Sequence, residues 1–103
     1  SLGGTQVTDA GLKHLSELSK LRFLVLHHTP VTDDGLQHVK RLTRLRELWL
    51  DGDLVTDTGL MHLKGLSSLE RLGLSHTQVT DAGVKKLHQA LPNCKIRYSL
   101  RFR

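Results

Sequence analysis

Apolar residues return along this chain in two alternating rhythms. Leu12, Leu15 and Leu18 are spaced by three, with Lys13, His14, Ser16 and Glu17 between them, which predicts a short helix with one apolar face. The following set, Leu21-x-x-Leu24-x-Leu26, ends in strict alternation, the period of a short strand. Both rhythms recur. Leu45-x-x-Leu48-x-Leu50 and Leu69-x-x-Leu72-x-Leu74 repeat the strand pattern, and Leu36/Val39, Leu60/Leu63 and Val84/Leu87 repeat the helical one. Each unit is expected to hold a helix of about ten residues and a strand of about four.

The period is regular. Val-Thr-Asp occurs at 7–9, 31–33, 55–57 and 79–81, each 24 residues after the last, and Gly11, Gly35, Gly59 and Gly83 share that register. Thr8 or Asp9, and the same pair in each later unit, is expected to supply the oxygen that satisfies the open N–H groups of the helix's first turn. Thr29 and Thr77 are expected to accept backbone N–H bonds where strand becomes loop, with Asp53 doing the same in the third unit. A strand and a helix this short cannot bury their apolar faces alone, whereas stacked units share a continuous core. The chain is expected to be a solenoid.

The run Leu-x-x-Leu-x-Leu followed by x-x-Thr-x-Val-Thr-Asp-x-Gly-Leu resembles the leucine-rich-repeat family, close to its cysteine-containing subclass and to short, Thr-bearing bacterial arrays. The resemblance implies an α/β fold: a right-handed horseshoe segment with a parallel sheet on the concave face, helices on the convex face, and protein recognition through the strands. Thr5, Thr29, Asp53 and Thr77 stand where that family usually has Asn or Cys. One domain is expected over 1–103, with 1–4 as the remnant of a preceding strand and repeats at 5–28, 29–52, 53–76 and 77–103, the last carrying the closing strand. Ser1 and Leu2 fall in register with Val25 and Leu26, so the array is expected to be part of a longer one, or its first edge to self-associate. In the closing unit either Ala90 or Leu91 fills the column of Leu66.

Inward leucines fix which side chains face out. With Leu24 and Leu26 inside, Phe23, Val25 and His27 point to the opposite side, and steps of 24 add Glu47, Trp49 and Asp51, then Arg71, Gly73 and Ser75, then Lys95, Arg97 and Ser99. The first edge of this grid is apolar and aromatic and the last is basic. Aromatic and arginine side chains are enriched among residues that dominate binding energy, so Phe23, Val25, His27, Glu47, Trp49, Asp51, Arg71, Ser75, Lys95 and Arg97 are the candidate contacts for a protein or peptide partner. The grid is smaller than the roughly 20–30 residues per side of a standard interface, which predicts weak binding by this segment alone.

Charge and chemistry change this picture little. Fifteen Lys and Arg against ten Asp and Glu give +5, which permits an acidic partner without requiring one. Nucleic acid is the rival reading, disfavoured because the cations scatter over helix ends, strand edges and tail and only Trp49 offers a stacking platform. An architectural, self-stacking role is a third. His14, His38 and His62 share a column, but ladder neighbours about 5 Å apart do not converge on one metal ion. No catalytic pairing has spacing support, so no enzyme, cofactor or metal is expected. Cys94 reads as a buried thiol. With one cysteine, no glycosylation triplet at Asn93 and no apolar run near about 18 residues, a soluble, cytoplasmic chain without membrane contact is expected.

Overall fold

The computed structural model describes residues 9–98 apart from 16, 19, 28–30 and 52–53, with backbone alone at His27 and Asp51. Helices α1 (Asp9–Leu15), α2 (Asp33–Val39), α3 (Asp57–Met61) and α4 (Asp81–Ala90) alternate with strands β1 (Phe23–His27), β2 (Glu47–Asp51), β3 (Arg71–Ser75) and β4 (Lys95–Tyr98). The strands form one parallel sheet in the order β1-β2-β3-β4. Each rung pairs residues 24 apart, as in Phe23, Glu47, Arg71 and Lys95. The architecture is α/β, with each strand joined to the next through a helix on one side of the sheet, a solenoid segment.

The first three helices are shorter than expected, at seven, seven and five residues. Leucines at intervals of three continue past each helix end, and there the backbone closes i→i−3 bonds, such as Leu42 N–H to Val39 O (2.9 Å) and Leu45 N–H to Leu42 O (3.0 Å). Three residues per turn suits that spacing better than the 3.6 of an α-helix. Leu42 and Leu66 are buried in these turns, but Leu18, expected on the apolar face of the first helix, lies beyond α1 and is 51% exposed.

The core is a stack of leucines. Leu24, Leu26, Leu48, Leu50, Leu72 and Leu74 from the strands meet Leu12, Leu36, Leu60 and Leu87 from the helices, all at most 3% exposed. Both predicted periodicities therefore converge on one continuous interior. The closing unit departs from the 24-residue step by one residue and then recovers it. α4 extends to Ala90, Leu91 rather than Ala90 takes the buried place that Leu66 holds one unit earlier, Cys94 takes that of Leu69, and the register is regained at Lys95.

The Thr-Asp pairs divide two tasks. Thr32, Thr56 and Thr80 are the helix caps, their hydroxyls accepting from Asp34 N–H (3.2 Å), Thr58 N–H (3.3 Å) and Gly83 N–H (3.2 Å). The aspartates instead reach the next unit. Asp9 accepts from Thr32 N–H (2.9 Å) and Oγ1–H, Asp33 from Thr56 N–H (2.8 Å) and Oγ1–H, and Asp57 from Thr80 N–H (2.8 Å) and Oγ1–H. Each threonine hydroxyl thus donates backward while accepting within its own helix. The glycine of the next helix makes room for this clamp: a Cβ on Gly35 would lie 2.9 Å from Asp9 Cγ and one on Gly83 2.7 Å from Asp57 Oδ2. Thr77 is fully buried and its hydroxyl donates to Leu74 O (3.3 Å). Thr5, Thr29 and Asp53 lie outside the described residues.

Candidate binding face

The leucine ladder leaves the other side of the sheet uncovered by the helices. On it the first row reads Phe23, Glu47, Arg71, Lys95 and the second Val25, Trp49, Gly73, Arg97, with His27, Asp51 and Ser75 on the third. Phe23 is 55% exposed. Val25, Glu47 and Trp49 are half-buried, and Arg71, Ser75, Lys95 and Arg97 are exposed. The strand phase is as expected, and the predicted contacts with described side chains share one surface. The side chains of His27 and Asp51 are outside the described set, as is Ser99.

Gly73 explains how Trp49 sits. A Cβ at Gly73 would meet the indole ring, with Trp49 Cζ3 at 2.6 Å, so the ring of β2 lies over β3 where its neighbour has no side chain. The same contact buries Gly73, which serves as the seat for Trp49 rather than as a contact position of its own. Trp49 Nε1–H donates to Glu47 Oε1 (3.1 Å). The ring, Arg71, Lys95 and Arg97 enclose a depression of about 190 Å³. The sequence carried the signal for this seat, because Gly73 stands beside Trp49 in the same column.

Two further hollows flank the face. One of about 510 Å³ runs along the N-terminal margin of the strands, lined by Arg22, Arg44, Arg46, Ser67, Ser68, Leu69, Glu70 and Asn93. There Arg46 Nε and Nη2 both donate to Glu70 Oε2, at 2.9 and 2.7 Å, in an exposed ion pair across one repeat. The other, about 580 Å³, lies beside β4 and α4 and includes Val84, Cys94 and Ile96. Burial pushes the Cys94 thiol up to about 11, which keeps it protonated and unreactive at neutral pH. At that end Tyr98 Oη–H donates to Asp81 Oδ1 (2.6 Å). That bond, followed by burial and the Asp81 charge, raises the tyrosine above its ordinary range. Asp81 is the last aspartate of the clamp column, and the tyrosine takes the place that a threonine takes in the earlier units.

Among the described residues no group of three or more His, Cys, Asp or Glu side chains is placed to hold a metal ion, and no helix is long and apolar enough to cross a membrane. Residues 65–87 match a family model described as Leucine Rich repeat. No curated protein matches the chain. Repeats of this kind commonly mediate protein–protein binding and are generally scaffolds rather than catalysts. The matched stretch runs from the turn before β3 into α4 and is similar to a leucine-rich repeat, and the columns it contains recur in this chain at every 24-residue step with the same strand register.

Proposed function

We propose that the chain is a protein- or peptide-binding scaffold that uses the open face of its sheet, with Phe23, Val25 and Trp49 as apolar anchors and Arg71, Lys95 and Arg97 as a basic flank. The observation that carries this reading is the exposure of Phe23 beside a half-buried Trp49 on a face that none of the described helices covers. Apolar area left in water is recovered when a partner covers it, at roughly 25 cal/mol per Å². His27, Glu47, Asp51 and Ser75 complete the contact surface in this reading. The leucines beneath do the structural work, so the outer side chains are free to serve recognition.

A selection from randomised, phage-displayed linear peptides on the immobilised chain tests this. Enriched peptides should bind the parent chain and lose binding to Trp49→Ala and to Phe23→Ser, while circular dichroism shows both variants folded. Peptides that bind all three proteins equally would overturn the assignment of the face.

A further inference from the structure

The like charges on β3 and β4 are the feature that folding leaves unexplained. Arg71 and Lys95 are direct partners in the parallel register, and Arg97 follows on the same face of β4. Like charges on opposite positions of a sheet reduce stability, and none of the three side chains forms an ion pair with another described residue. Glu47 pairs with Arg71 in the register, yet its carboxylate accepts from Trp49 Nε1. The depression that results has three cationic walls, an indole as the fourth, and no carboxylate among its described lining residues.

We propose that this depression receives an acidic side chain of an extended partner segment, two residues away from an apolar side chain that rests on Trp49. The inference rests on the open sheet being the binding face and names what that face selects. An anion placed there offsets the repulsion between Arg71 and Lys95, and arginine can grip a carboxylate through two N–H donors. The spacing follows from sheet geometry. Strands lie about 4.8 Å apart, so the cations of β3 and β4 stand roughly 5–10 Å from the Trp49 strand, and side chains i and i+2 of an extended segment point the same way about 6.7 Å apart. An apolar-x-acidic sequence spans that interval.

The distribution of charge favours a peptide over a nucleic acid strand. Phosphates recur at every nucleotide, and a strand crossing this sheet would leave the cations for Glu47 on β2 and the apolar Phe23 and Val25 on β1. A segment with one acidic and one apolar side chain matches both halves of the surface. Of the arginines along the strand margin, Arg46 is already paired with Glu70.

Trp49 is the sole tryptophan, so its emission reports on the depression directly. The full chain is titrated with three capped, serine-rich peptides of equal length that contain Leu-Ser-Asp, Leu-Ser-Asn or Leu-Ser-Lys, and with single-stranded oligothymidine. The aspartate peptide should bind about tenfold more tightly than the asparagine peptide, with the lysine peptide weakest. Arg97→Glu and Lys95→Glu, checked for folding by circular dichroism, should abolish that preference and shift it toward the lysine peptide. Equal binding of the aspartate and asparagine peptides overturns the acidic subsite while leaving the wider face intact. Absence of any emission change with all three peptides also overturns the subsite, and the phage selection then decides the face independently. Tighter binding of oligothymidine than of the aspartate peptide, with steep loss in salt, overturns it in favour of nucleic acid.

Discussion

The joints between helices and the open face of the sheet follow opposite rules. At the joints, Asp9, Asp33 and Asp57 meet Thr32, Thr56 and Thr80 in three near-copies of one geometry, with Gly35, Gly59 and Gly83 opening the space. On the sheet, the row Val25, Trp49, Gly73, Arg97 has a different residue at every rung. Both regions are built at the same period and carried by the same leucines. Identity recurs where one unit must fit the next, and it varies where the solenoid is free of that demand. Columns that change from unit to unit are therefore the place to look for recognition.

This contrast is broken most forcefully in the shared core. Leu72→Ala, at a fully buried rung, is expected to cost about 2–5 kcal/mol in equilibrium urea unfolding, because the cavity cannot collapse between two stacked units. Arg71→Ala, its neighbour on the opposite face, should stay within about 0.5 kcal/mol. Comparable losses at both would contradict the inside-outside division.

The joints come next. Asp33→Ala removes both bonds to Thr56 and leaves a partly buried N–H and the hydroxyl proton without their acceptor, for an expected cost of about 1–3 kcal/mol. Gly59→Ala should cost a similar amount, since its Cβ would lie 2.8 Å from Leu36 Cδ1 and press on Asp33. In a double-mutant cycle the two losses should not add, because both changes act on the same clamp. Additivity would mean that glycine and aspartate serve separate ends.

The column of the exposed Arg46–Glu70 pair changes from unit to unit, with Arg22 one step before Arg46. Removal of the pair by Glu70→Ala should cost no more than about 1 kcal/mol and less in high salt. Cys94 gives the last effect, confined to alkaline solution. Its folded value of about 11 lies above the ordinary 9.0, so below pH 9 both folded and unfolded thiols stay protonated. Between pH 9 and about 11 the unfolded chain ionises first, and stability should fall as pH rises relative to Cys94→Ala. Parallel pH profiles for the two proteins would show that the thiol is not desolvated by folding.

Much of this architecture was legible in the sequence because a 24-residue period makes each register position visible several times over. The strand phase followed from the alternation at Leu24 and Leu26, and the outer grid followed from the phase. Helix length was less legible: leucine at every third position fits one face of a helix and a run of single turns equally well until packing chooses. The threonine caps were legible in the sequence, but the reach of the aspartates was not, because Thr and Asp are both good cap residues and nothing in a linear pattern shows that a carboxylate reaches one unit forward. The glycine column was the available signal, since its recurrence within each helix opposes helix propensity. The seat of Trp49 on Gly73 needed the register of two strands before the indole and the missing side chain could be placed together.

The central claim is that Trp49 stands on an open, cationic sheet face while the leucines beside it are sealed inside. Collisional quenching of its fluorescence in the native chain tests this most directly, with iodide and caesium as ions of opposite sign. Ready quenching by iodide and much weaker quenching by caesium, with the difference reduced in Arg97→Glu, is the predicted result. A native tryptophan protected from both ions, and exposed only on unfolding, would place the indole in the core and contradict the account.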